Sequence, residues 1–231
     1  AGKILNNPEY ALVLKDMAQN GVTNFYQGKI AEDIVEKSRS YKGLLSTEDM
    51  AEYKVKERKA VCLNYRDYKV CSMGQPSSGG LTLLIALGLL ENFDLKSLGP
   101  DNPKSYHLIA EASRLAFEDR NQFMADSDFV ATPDTLLLDK IYLKIRADQI
   151  LPDKAMAFTF YGIPLGWNDK KQMRDGTVKD SGTSHITIVD MYGNILSMTT
   201  SIEYAFGSHI MSNGFLLNNQ LTDFSFSASD G

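Results

Sequence analysis

The hydrophobic pattern changes period along the chain. Tyr10–Asn20 places Leu12, Val13, Leu14 and Met17 on a helix that Gly21 is suited to close. Ile30–Ser38 repeats the helical spacing with Ile30, Ala31, Ile34 and Val35, and Ser46-Thr47-Glu48-Asp49 is a capping signal for a short helix through Tyr53. Further on, Pro76–Gly80 opens a buried helix over Leu81–Glu91. A longer one from Pro103 to about Ala125 sets Ile109, Ala112, Leu115, Ala116 and Phe123 on its apolar face, and Leu137–Ile150 reads as another.

Two stretches follow strand chemistry instead. Val55–Met73 is broken by Tyr65-Arg66-Asp67-Tyr68, and a two-residue loop at Arg66-Asp67 places Cys62 opposite Cys71 at a non-hydrogen-bonded pair. Such a pair permits a cross-strand disulfide, while two free, half-buried thiols are the commoner outcome for cysteines. After Pro152–Ser181, a linker of mixed charge without clear period, His185–Asp190 and Ile195–Ser201 read as strands joined by the turn Met191–Asn194. Phe215–Asn218 reads as a third. Helices preceding strands argue for an α+β class and against a doubly wound parallel sheet.

Composition narrows the function classes. The chain has 231 residues, 43% apolar and 23% charged, with a net charge of -5. It has no basic stripe, so no nucleic-acid partner is expected. The apolar run at Leu81–Leu90 is far too short to span a membrane. Ala1–Tyr10 carries no apolar h-region, so no signal peptide is expected in this stretch. Cys62, Cys71, His107, His185 and His209 show no CxxC or HxxxH spacing, so neither a metal site nor a cofactor is expected.

The candidate chemistry lies at Ser181-Gly182-Thr183-Ser184-His185, where two small residues end the linker and a hydroxyl residue begins a strand. Alone, that is an ordinary strand start. The run Thr183–Ser201, Phe206-Gly207-Ser208 and GFLLNNQLTDFS at 214–225, however, resembles the start of the small subunit of γ-glutamyltransferases. Collinear upstream segments extend the resemblance: FYQGKIAEDIV at 25–35, LLSTEDMAEY at 44–53, YRDYKV at 65–70, PSSGG at 76–80 and EASRLAFEDRNQFMADSDFV at 111–130.

The resemblance implies a four-layer αββα sandwich of the N-terminal-nucleophile hydrolase type, incomplete in this chain. Residues 1–182 would end the large subunit and 183–231 would begin the small one. It implies self-cleavage of Gly182–Thr183, with Thr183 then attacking γ-glutamyl amides such as glutathione and passing the acyl group to water, an amino acid or a peptide. By position, Ser201 matches a hydroxyl that orients the nucleophile, and Gln220 and Asp223 match groups that hold the glutamyl α-amine. Glu203 stands where many members have a substrate-contacting asparagine. His185 is expected to be structural. The resemblance also implies a periplasmic or extracellular protein.

The departures and absences are specific. Ser184 replaces the second threonine of a common Thr-Thr pair, and Gly74-Gln75-Pro76 replaces a proline-rich lead-in. The family's carboxylate-binding arginine is expected upstream of residue 1, and its serine pair and Gly-Gly oxyanion donors downstream of residue 231. These residues alone are therefore expected to be inactive and uncut, needing the remaining parts of both subunits. Glu203 leaves room for a related activity, a cephalosporin or glutaryl acylase or a poly-γ-glutamate depolymerase. A non-catalytic scaffold is the alternative from another class.

Overall fold

The computed structural model describes residues 2–168 and 182–224. They fall into two compact units: residues 2–56 with 182–224, and residues 57–168. This is a division by packing; the expected subunit boundary at 182/183 is a single peptide bond and is a separate matter. The chain is α+β, with most helices preceding most strands.

The first unit opens with α1 (Pro8–Asn20), α2 (Thr23–Gln27), α3 (Lys29–Ser40) and α4 (Thr47–Glu52). Asn7 caps α1 by accepting from the Tyr10 N–H, Pro8 fits the first turn, and Gly21 closes it at φ 74°. The expected capping signal before α4 takes the form of a reciprocal capping box between Ser46 and Asp49. Ile30, Ala31, Ile34 and Val35 are buried as expected. The α1 stripe is narrower than its pattern, because Val13 is buried while Leu12 and Leu14 lie largely open. The short helix α2 was not expected; Gly28 ends it and also begins α3.

In the second unit, β1 (Val61–Tyr65) and β2 (Tyr68–Ser72) form the expected hairpin, with Cys62 opposite Cys71. The expected strand character from Val55 to Ala60 does not materialise. Arg58 there pairs both of its terminal nitrogens with Asp128, each at 3.0 Å, so side chains rather than a ladder hold the segment. The two cysteines are not free thiols but a disulfide, their Cα atoms 4.1 Å apart. A non-hydrogen-bonded pair brings side chains close enough for that bond.

The core of this unit is built on α5 (Ser78–Leu90), backed by the short α6 (Leu95–Leu98) and the long α7 (Pro103–Phe123). Leu81, Ile85 and Leu89 meet Leu108, Ala112, Leu115, Ala116 and Phe123. Ile109, expected in this face, is 45% exposed, and Leu108 takes the inward position. The expected helix over Leu137–Ile150 is two pieces, α8 (Asp134–Leu137) and α9 (Lys140–Ala147). Asp139 interrupts it by accepting from the Ile141 and Tyr142 N–H groups as an N-cap. Between α7 and α9 lies a buried ion pair, Asp119 and Arg146, at 0% and 2% exposure. Burial raises the Asp119 carboxyl above its ordinary range, against the pull of Arg146 and of the Gly162 N–H.

Residues 152–168 form neither helix nor strand, and the remainder of the expected linker, 169–181, lies outside the described residues. The chain resumes in the first unit with β3 (Thr183–Val189) and β4 (Ile195–Ser201), an antiparallel pair with Thr183 opposite Ser201. The short β5 (Met211–Ser212) and β6 (Phe215–Leu216) follow, then a 3₁₀ turn at Gln220–Asp223. The third expected strand is thus only two residues long. Phe215 and Leu217 pack on Val13, Ile30 and Ile34, and Asn7 donates to the Gly214 carbonyl at 2.6 Å.

Candidate functional site

The strand register alone brings the first two candidate residues together. In an antiparallel pair, directly opposed residues share a face. Thr183 and Ser201 are so opposed, and the Thr183 hydroxyl donates to Ser201 Oγ at 2.9 Å. Ser201 Oγ also accepts the Glu203 N–H at 2.9 Å. One serine oxygen therefore joins the candidate nucleophile to the turn that follows β4.

That turn is tight. Glu203 takes φ 72°, a left-handed conformation that costs a non-glycine residue free energy, and its side chain is buried. Gly182 lies so close to this turn that an added Cβ would overlap the Glu203 carbonyl oxygen and sit 2.8 Å from the Tyr204 carbonyl carbon. The residue before Thr183 is thus held against the backbone of Glu203–Ala205, an approach that glycine permits.

The other candidates connect through Glu203. Gln220 donates to Glu203 Oε2 at 3.0 Å and also to the Asp223 carboxylate, so one amide nitrogen bridges two carboxylates. Asn219 holds the two parts in place: its side chain accepts the Tyr204 N–H at 3.0 Å, and its own N–H donates to the Ile202 carbonyl. Reading the sequence alone missed Asn219. Its position beside Gln220 in an Asn-Asn-Gln run was the available signal, since asparagine side chains readily replace backbone partners in turns. Thr183, Ser201, Glu203, Gln220 and Asp223 thereby form one hydrogen-bonded series, with Thr183 at its solvent-exposed end.

His185 stands on the same face, two residues along β3. Its ring nitrogens contact Thr199 Oγ1 at 2.8 Å, Ser197 Oγ at 3.2 Å and Thr187 Oγ1 at 3.3 Å, which ties the two strands together. Among the described residues, no three histidine, cysteine, aspartate or glutamate side chains gather in a way that suits a metal ion.

Chemically, the arrangement presents a hydroxyl with an acceptor at hydrogen-bonding distance, next to a crowded glycyl peptide and a pair of carboxylates able to receive a cationic head. A chain at 37% identity is the glutathione hydrolase proenzyme of Escherichia coli K12, aligned over 229 residues, 97% of this chain and 37% of that one. The solved γ-glutamyltranspeptidase of Helicobacter pylori superposes with a TM-score of 0.66 at 39% identity, over 69% of this chain and 46% of its own. The cephalosporin acylase of Bacillus halodurans shares the fold with a TM-score of 0.82 at 24% identity, over 97% of this chain and 38% of its own. The chain thus spans between 37% and 46% of these relatives' length. A family model described as gamma-glutamyltranspeptidase matches residues 1–231, and the chain belongs to that family.

Proposed function

We propose that these residues are the junction of a self-cleaving γ-glutamyl hydrolase and transpeptidase, with Gly182–Thr183 as the bond it cuts. The observation that carries this reading is the Thr183–Ser201 hydroxyl pair, placed directly after a glycine wedged against the Glu203–Ala205 turn. Attack of the Thr183 hydroxyl on the Gly182 carbonyl would give an ester by N→O shift, and water would hydrolyse it. Cleavage would free an α-amine on the residue that bears the nucleophile. With an ordinary pKa of about 7.7–8.0, that amine suits a general base near neutral pH. Base and nucleophile in one residue lose little orientation entropy.

In the mature protein Thr183 would attack a γ-glutamyl amide such as glutathione, releasing the amine and forming an acyl-enzyme. Water then completes hydrolysis, or an acceptor amino acid or peptide completes transpeptidation. Ser201 would orient Thr183, while Glu203, Gln220 and Asp223 would hold the glutamyl α-amine end. The surrounding fold would be the four-layer αββα sandwich, completed by the remaining parts of both subunits. We place the protein in the periplasm or outside the cell, where a disulfide such as Cys62–Cys71 persists.

A second reading keeps the mechanism and changes the acyl group. Glu203 is buried beside Asp223 through Gln220, and a second carboxylate there would oppose a substrate α-carboxylate. That favours a related acylase whose donor lacks the α-carboxylate, whereas a glutaryl donor keeps that carboxylate and loses the ammonium. Competition between glutathione and uncharged acyl amides on the full-length protein separates the two.

The first test is the denaturing intact mass of the full-length protein at neutral pH beside Thr183→Ala. Two chains, the smaller beginning at Thr183 and absent from the variant, are expected. A single uncut chain in both would remove the mechanism and favour the scaffold alternative. The 231 residues alone are expected to release no p-nitroaniline from γ-glutamyl-p-nitroanilide, since loss of one oxyanion donor costs roughly 10²–10³ in kcat.

A further inference from the structure

The Gly182–Thr183 peptide has a support on each side. On one side, the β3–β4 register and the Ser201 hydroxyl fix Thr183. On the other, Gly182 rests against the backbone of Glu203–Ala205. An added Cβ there would overlap the Glu203 carbonyl oxygen and stand 3.0 Å from the Ala205 nitrogen. Both supports meet in the turn that follows β4, so the scissile peptide is only as well placed as that turn.

The turn is not held by its own residues alone. Glu203 takes φ 72°, and a non-glycine residue stays in the left-handed region only where its surroundings over-determine it. Its N–H donates to Ser201 Oγ at 2.9 Å. Two further constraints come from Asn219. Its N–H donates to the Ile202 carbonyl at 3.3 Å, and its side-chain oxygen accepts the Tyr204 N–H at 3.0 Å.

The last of these bonds selects an orientation. The Glu203–Tyr204 peptide is trans, so its N–H and its carbonyl point to opposite sides of the chain. Asn219 holds the N–H end, which leaves the carbonyl end against Gly182. Without that bond the peptide is free to rotate and withdraw its carbonyl from the glycine. Asn219 is itself fastened from within its own turn. Its side-chain nitrogen donates to Thr222 Oγ1 at 3.2 Å, and that hydroxyl donates to the Asn219 carbonyl at 2.9 Å.

We infer that Asn219 is a positioning residue for the self-cleavage, acting through the Glu203–Tyr204 peptide on which Gly182 rests. The inference rests on the self-cleavage reading. Thr183 Oγ1 must come within about 3–3.5 Å of the Gly182 carbonyl carbon to attack it. With Thr183 fixed by register, that approach depends on where Gly182 is held. The side-chain oxygen of Asn219 carries the role, whereas its nitrogen serves only the bond to Thr222. The two jobs therefore separate by substitution.

The test reads the rate of Gly182–Thr183 cleavage in the full-length precursor on denaturing gels. Denaturant midpoints are taken alongside in the Thr183→Ala background. Asn219→Ala is expected to cleave about tenfold slower or more. Asn219→Ser, whose shorter hydroxyl does not reach Tyr204, takes its place if Asn219→Ala does not fold. Asn219→Asp keeps an acceptor for the Tyr204 N–H and is expected to cleave within about threefold of wild type. Thr222→Val removes both Thr222 bonds to Asn219; its midpoint is expected to fall while its cleavage stays within about threefold of wild type. Wild-type cleavage by the truncated variant overturns the inference. So does Asn219→Asp or Thr222→Val cleaving as slowly as the truncation, since the effect would then be one of general stability. A wild-type precursor that never cuts, or a Thr183→Ala precursor that does, overturns the self-cleavage reading and this inference with it.

Discussion

The α5–α7–α9 core and the β3–β4 hairpin solve the same problem in opposite ways. In the core, apolar residues from three helices close on one another, and even its charges are sealed: Asp119 and Arg146 lie at 0% and 2% exposure with every major partner inside the same unit. In the hairpin, hydrogen bonds across the register are complete, but among the described residues none covers either face. Ile186, Ile188, Ile195, Leu196 and Met198 are all substantially open. The helical unit carries its own stability; the hairpin carries the candidate chemistry. Two-stranded ribbons are marginal in water unless another layer covers one face. The residues proposed to react therefore sit on the element that draws least support from the described chain.

This contrast can be tested by substitution, and the largest effect should fall in the core. Arg146→Ala would leave Asp119 buried without its ion-pair partner, a loss of about 3–5 kcal/mol for such a broken pair. The denaturant midpoint of the full-length protein should drop accordingly. A change below about 1 kcal/mol would mean that the pair behaves as an exposed one and that the core is less sealed than its geometry shows.

A smaller effect is expected on acidification. Burial pushes the Glu111 carboxyl up, but the Met156 N–H and Arg114 outweigh it and hold it below the ordinary glutamate value of 4.5. A depressed folded value favours the ionised form, so its contribution to stability is present above pH 4.5 and is lost as pH falls through the folded value. Amide exchange over 156–162 should rise in that window in wild type and lose this dependence in Glu111→Gln. A flat wild-type profile would show that residues 156–162 are not held by the ionised carboxylate.

The smallest effect belongs to the hairpin. Ile195 is 74% exposed, so Ile195→Thr in the 231-residue chain should shift stability by no more than about 0.5 kcal/mol. A larger loss in the full-length protein would show that another element covers that face there, and would sharpen the comparison.

The sequence made some of these features legible and hid others, for physical reasons. Register counting from Arg66-Asp67 placed Cys62 opposite Cys71 because a two-residue loop leaves no freedom in the pairing. The α4 capping box and the proline at the start of α7 were readable because caps act over a few residues. The candidate residues Thr183, Ser201, Glu203, Gln220 and Asp223 came from resemblance rather than periodicity, and the structure gathers them through bonds that span up to 18 residues. The bond from the Met156 N–H to Glu111 was invisible, since the two residues lie 45 apart in sequence, beyond any local pattern. Asp139 read as one more polar residue in a helix because an N-cap and a mid-helix aspartate look alike until a helix end is known.

The pairing of β3 with β4 has a consequence of parity. Thr183, His185 and Thr187 face Ser201, Thr199 and Ser197, while Ile186 and Ile188 face Met198 and Leu196. Sliding one strand past the other by a single residue would set Ser201 against Ser184 and leave Thr183 opposite Ile202, so hydroxyl would meet hydroxyl one place too late. No gradual loss of function lies between those two arrangements. The imidazole of His185, gripping three hydroxyls from both strands, works as the latch that keeps the count even.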